Sequence, residues 1–217
     1  MDKKMIVEKT VDFVKQTLSE AEGGHDWWHV YRVWQTAKQI AASEKADMFI
    51  IELGALLHDI ADSKFHHGDE SVGPEKAKQF LQDLGVDGAV IMHVENIIKN
   101  ISFKSGKEKQ YFKSLELDIV QDADRLDAMG AIGIARAFNY GGFKNRKLYD
   151  PAIKPNLNKS REEYKKGGDP TLNHFYEKLF LLRDLMNTKK GKLLAIQRHR
   201  FMEQYVEQFY KEWEGEL

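Results

Sequence analysis

Apolar positions recur along most of this chain at spacings of three and four residues, the period of an α-helix with one buried face. Over residues 3–20, Ile6, Phe13, Val14 and Leu18 fall roughly on one stripe, and Gly23-Gly24 stops the pattern. Asp26 stands where an N-cap is wanted, and the helix it opens carries Val30, Val33, Trp34, Ala37, Ile40 and Ala41 on its inner face. Residues 47–61 are apolar through IIELGALLHDI and read as a deeply buried helix. Further helices are predicted over 71–85, with Pro74 in a first turn where a missing N–H costs least, over 88–100 and over 115–138. Between 139 and 169 the pattern gives way to NYGGFKNRKLYDPAIKPN and KKGGDP, so a long surface loop is expected there. A loop of that length is more often functional than a passive connector. Helices resume over 171–187 and 189–213, and nothing in the pattern asks for a strand or forms an internal repeat. The expected fold class is therefore all-α: one domain over 1–217, with a core over about 20–138, the loop over 139–169 and C-terminal helices over 171–213.

Composition narrows the function classes. Of 217 residues, 42% are hydrophobic, enough for a substantial core and against global disorder. Lys plus Arg (33) nearly cancel Asp plus Glu (34), for a net charge of -1, which argues against broad binding to nucleic acid or an anionic membrane. With no cysteine, a disulfide framework, a thiolate metal site and a Cys nucleophile are all excluded, and a reducing compartment is suited. The start MDKKMIVEKTVDFV is charged and lacks the apolar core of a signal peptide, and no apolar run approaches the ~20 residues that span a bilayer. A cytoplasmic location is expected.

The polar residues that matter are those placed where the helical pattern predicts core. His29 lies four residues before Val33, on the inward stripe of its helix. His58 and Asp59 end the apolar run, and Asp124 lies four residues after Val120 and four before Ala128. A single inward His is usually a hydrogen-bonded core residue, and a single inward Asp often a cap or the partner of a buried Arg. The combination of a His, a His-Asp pair and a later Asp on three separate helices is less ordinary, because inward carboxylates need a cation or dense hydrogen bonding. Two neutral imidazoles and two carboxylates suit Mn, Fe, Co, Ni or Zn better than Ca, and the expected cofactor is one divalent ion, Mn, Co, Ni, Fe, Zn or Mg.

The order His…His-Asp…Asp, in HDWWHVYRVWQTA, LLHDIADSKF and QDADRLDAMGAIGIARAF, resembles the HD-domain metal-dependent phosphohydrolase superfamily. With HFYEKLFLLRDLMNT and AIQRHRFMEQY, the chain is similar over nearly its whole length to the small bacterial HD proteins of the YedJ- and YpgQ-like group. The resemblance implies a helical bundle with one metal held by His29, His58, Asp59 and Asp124, every motif position being filled. It also implies a phosphohydrolase acting on nucleotide phosphate esters or anhydrides, with pyrophosphate release from a nucleoside triphosphate slightly favoured. The alternatives are a nucleoside monophosphate phosphatase and a non-catalytic nucleotide-binding sensor. An oxygen-activating di-iron enzyme would need further His and Asp ligand pairs.

Around this set, Asp62 stacks by helical spacing on the face of His58 and Asp59, where it either orients the attacking water or caps its helix. Lys64 and His66 follow in DSKFHHGDE as a candidate catalytic base-side cation and a candidate phosphate ligand, with His67 beside them. Arg32, one turn beyond His29, is a candidate phosphate ligand or a partner for Asp26; Lys178 and Arg198 are candidates drawn from the family-like stretches. Asp122 or Asp127 could accept a hydrogen bond from a ligating His, and His93 with Glu95 could extend the site. Tyr140, Phe143 and Tyr149 are candidates for a lid, a base-stacking surface or simple loop anchors. The expected partner is a small phosphorylated molecule rather than nucleic acid or membrane; a homodimer is compatible, with Trp27, Trp28 and Trp34 suiting core and interface equally.

Overall fold

The computed structural model describes residues 1–19, 26–61, 69, 71–101, 112–157 and 168–216, and every structural statement below concerns these residues. They are helical, without a strand, and contain no helix long and apolar enough to cross a membrane. The chain forms two compact units, Met1–Asp124 and Arg125–Leu217.

The first unit holds α1 (Lys3–Thr17), α2 (Trp27–Ala41), α3 (Met48–Leu57), α4 (Val72–Asp83), α5 (Gly88–Asn100) and most of α6 (Leu115–Asp127). α3 lies at its centre, packed on α1, α2 and α5, while α4 packs on α5. Ile51, Leu53, Ala55, Leu56 and Leu57 are sealed from solvent there, and Val14, Val30, Leu81 and Val94 close around several of them. This burial supplies the main driving force for the unit, as expected of a helix apolar on every side.

Helix starts follow the sequence signals. Asp2, Asp26, Asp47 and Asp87 each accept a hydrogen bond from a backbone N–H of the first turn, which would otherwise be orphaned. Asp47 does so twice, from Phe49 (2.9 Å) and Ile50 (3.4 Å), and its own N–H donates to Glu116 Oε1 at 3.0 Å. Asp47→Ala is therefore expected to lower stability by about 1 kcal/mol. That corresponds to about 2–4 °C in the melting temperature for a chain of this size, measurable by calorimetry.

The helix expected over 47–61 ends earlier, at Leu57, with His58 as its C-cap and a turn through Asp59 and Ile60. The apolar run continues through Ile60, which is buried, so the pattern outlasts the helix itself. The consequence is functional: the His-Asp pair stands at the mouth of a buried helix rather than along its side.

The second unit contains the end of α6, α7 (Gly130–Phe143), a π-helical turn (Phe175–Leu179), a 3-10 segment (Phe180–Leu185) and α8 (Lys189–Glu214). The single helix expected over 115–138 is broken after Asp127, and Gly130 takes φ 69°, a conformation that a Cβ resists. α7 then runs to Phe143, so the chain leaves helix at Lys144 rather than at Asn139. Residues 158–167 of the expected loop lie outside the described residues. In place of one regular helix over 171–187, the wide turn carries the fully buried Phe175 against Phe138, Phe180 and Tyr205. Asp127, 3% exposed, is paired with Arg136 across the break.

Candidate metal centre

The carboxylate of Asp26 accepts the backbone N–H of His29 at 2.9 Å, which fixes the first turn of α2 and with it the direction of the His29 side chain. On α2, Val33 and Val30 lie about 40° and 100° to one side of His29 and are fully buried. His29 itself is 2% exposed and faces the end of α3. There, His58 Nδ1 lies 2.8 Å from the Ala55 carbonyl oxygen, which can only accept, so Nδ1 carries the proton. In the neutral ring that leaves Nε2 with its lone pair, and Nε2 sits 3.2 Å from His29 Nε2.

The carboxylates complete the cluster. Asp59 Oδ2 is 3.7 Å from His29 Nε2, and Asp124 Oδ1 is 3.5 Å from His29 Nε2 and 4.0 Å from His58 Nε2. His29, His58 and Asp59 present one ligand atom each within 4.8 Å of one another. The separations within that trio suit the donor set of one ion: at ligand distances near 2.1 Å, neighbouring octahedral ligands are about 3.0 Å apart and opposite ones about 4.2 Å; Asp124 approaches both imidazoles but stands outside the trio. The two acids are less enclosed than the helical pattern implied, with Asp59 19% and Asp124 36% exposed at the side chain. They form the solvent side of the cluster, and the imidazoles form its floor.

The remaining candidates divide. Arg32 is half-buried on α2, about 60° from His29 on the flank opposite Val30. Asp122 is completely buried in α6, whereas the Asp127 carboxylate is engaged by Arg136. His93 Nε2 lies 2.8 Å from Ser114 Oγ and 3.4 Å from Glu116, and Glu95 pairs with Lys99, so both belong to ties between or within helices rather than to the cluster. Asp62, Lys64, His66 and His67 lie outside the described residues.

In the second unit, Lys178 is half-buried in the π-helical turn. Arg198 donates to the Leu126 carbonyl, and burial pushes its guanidinium below the ordinary value against the pull of Asp127. Tyr149 is packed edge-on against Phe209, Tyr210 and Trp213 of α8, the arrangement of a loop anchor. Tyr140 and Phe143 are exposed, with the Lys144 ammonium over both rings. What the sequence left open was the tryptophans of α2: Trp27 and Trp34 are half-buried, and Trp28 is exposed. The 100° step from His29, away from Val30, was the available signal.

The first unit is thus all-helical, and its central helix is followed by a His-Asp pair that faces a buried His and a further Asp. Residues 27–129 match the HD domain. The chain belongs to the HD-domain superfamily. It is 39% identical over 211 residues to the Bacillus subtilis protein YpgQ, covering 96% of this chain and 94% of that one. An HD-superfamily hydrolase from Bacillus thuringiensis, known from its crystal structure, superposes with a TM-score of 0.79 at 46% identity, covering 98% of this chain and 99% of that one. The crystal structure of Bacillus subtilis YpgQ in complex with ADP superposes with a TM-score of 0.75 at 34% identity, covering 98% and 97%.

Proposed function

We propose that His29, His58, Asp59 and Asp124 hold one divalent ion, and that the protein hydrolyses a phosphate ester or anhydride of a nucleotide, a nucleoside triphosphate first among them. The observation that carries this reading is the convergence of four donors, His29 Nε2 within 3.2–3.7 Å of one atom from each of the other three. The ADP bound by YpgQ supports a nucleotide as the ligand class. Bound there, the ion supplies positive charge for phosphoryl oxygens and lowers the pKa of a water toward neutrality.

The chain's own groups do the rest. The Ala55 carbonyl holds the His58 tautomer, so its lone pair faces the cluster without any proton movement. Asp59 and Asp124, on the solvent side, balance the ion's charge. Arg32, on the open flank of α2, neutralises a phosphate oxygen. Asp62 orients the attacking water and takes its proton as oxygen adds to phosphorus and the bond to the leaving oxygen breaks. Lys64 and His66 hold the departing phosphate.

The test is a panel of nucleoside mono-, di- and triphosphates incubated with the Mn-loaded protein and again with chelator, resolving phosphate, pyrophosphate and nucleoside. Chelator-sensitive release of pyrophosphate from triphosphates is expected. Release of phosphate from monophosphates alone would shift the reaction to a monophosphatase, and no release from any nucleotide would remove nucleotides as the substrate class.

A further inference from the structure

α2 has two flanks beside His29, and they differ in kind. Val33 and Val30 seal one side completely. The other side carries Arg32, then Trp28, about 60° and 100° from His29, and beyond them Tyr31. Trp28 is 61% exposed and Tyr31 38% exposed, although large aromatic side chains strongly favour burial. Their exposure is ordered. Tyr31 touches Trp27, Trp28 and Trp34 at ring separations of 6.0, 5.9 and 6.3 Å. Trp28 meets Tyr31 at an interplanar angle of 82°, and more than half of its side chain remains open to solvent.

We propose that Trp28, steadied by Tyr31, is the nucleobase platform of this site, stacking the base of a nucleotide whose phosphates reach Arg32 and the His29 cluster. The inference rests on the nucleotide reading above and adds where the base goes. Three features select a base over another occupant. The aromatic surface is continuous with the metal cluster along one helix, since Trp28 immediately precedes His29. Arg32 stands on the same flank of α2, four residues or about 6 Å along the helix from Trp28, an offset that a sugar bridges between base and phosphate. A flat aromatic face suits stacking, which accepts any base.

The experiment compares the Mn-loaded protein with its Trp28→Ala and Trp28→Phe variants on ATP, GTP and inorganic tripolyphosphate, which has phosphates and no base. For Trp28→Ala, the ratio of KM for ATP to KM for tripolyphosphate is expected to rise about tenfold, the scale of one lost base–aromatic stack. GTP should follow ATP, kcat should stay within about threefold, and Trp28→Phe should restore the ratio to within about threefold. An equal rise in KM for tripolyphosphate, or no change on any substrate, would overturn the platform while leaving nucleotide hydrolysis by the parent protein standing. A parent protein that turns over tripolyphosphate and neither nucleotide would overturn the nucleotide reading and the platform with it.

Discussion

Replacing His58 or Asp59 with alanine is expected to lower metal-dependent hydrolysis by about a thousandfold, because the several kcal/mol of charge stabilisation supplied by a bound ion disappears with the ion. The two variants should lose activity alike while differing in stability. His58 is 8% exposed, and its removal leaves a cavity beside the α3 terminus and frees the Ala55 carbonyl of its partner. A loss of about 1–3 kcal/mol is expected from that unsatisfied group alone. Asp59 is partly solvated, so Asp59→Ala should melt within a few degrees of the parent when both are stripped of metal. Addition of Mn separates the roles further. An ion at a hundredfold excess over its Kd stabilises the folded parent by about 2.7 kcal/mol, or about 5–10 °C for a chain of this size. Neither variant should show that rise. Loss of turnover with the metal-induced rise intact would move His58 or Asp59 from ligand to another role.

Gly133→Ala is expected to be the most damaging small substitution in the second unit. A Cβ at Gly133 would stand 2.3 Å from the Ala128 carbonyl oxygen and 2.4 Å from its carbon, both backbone atoms just beyond the end of α6. No rotamer change relieves such a contact, so α7 must shift against the break that precedes it. The Asp127–Arg136 pair spans the same break, and Arg198 of α8 donates to the Leu126 carbonyl beside it. The expected cost is about 3 kcal/mol, the upper part of the range for forced overpacking, and a melting temperature lower by about 6–12 °C. Gly142→Ala, where a Cβ meets nothing within 4 Å, is the control and should be close to neutral or slightly stabilising.

The sequence carried most of the fold because its helices announce both their faces and their starts. Asp26 caps its helix as expected, and Asp47 and Asp87, for which no cap was read from the sequence, cap theirs in the same way. Elsewhere the periodic pattern was too smooth. DAMGAIGIARAF stays apolar and small across Gly130, so nothing in the period reveals that this glycine takes a positive φ and ends one helix before another begins. HFYEKLFLLRDLM is bulky on every side, and its π-helical and 3-10 turns arise from how Phe175 seats among other rings, which is tertiary information.

In the site, the two histidines are buried as their stripes required. The acids are more open than expected: Asp59 falls past the end of α3 rather than along its buried side, and Asp124 on α6 is 36% exposed at the side chain. Trp28 was ambiguous for a related reason: the sequence gives its angle from His29, but only the packed unit decides which flank of α2 is covered.

The measurement that bears most directly on the account is the metal content of the purified protein after equilibration with Mn and removal of free ion, made alongside Asp59→Ala and Asp124→Ala. One ion per chain in the parent, with a large loss in both variants, is the predicted result. No bound ion in the parent, or full occupancy in both variants, would contradict the assignment of His29, His58, Asp59 and Asp124 as the metal centre.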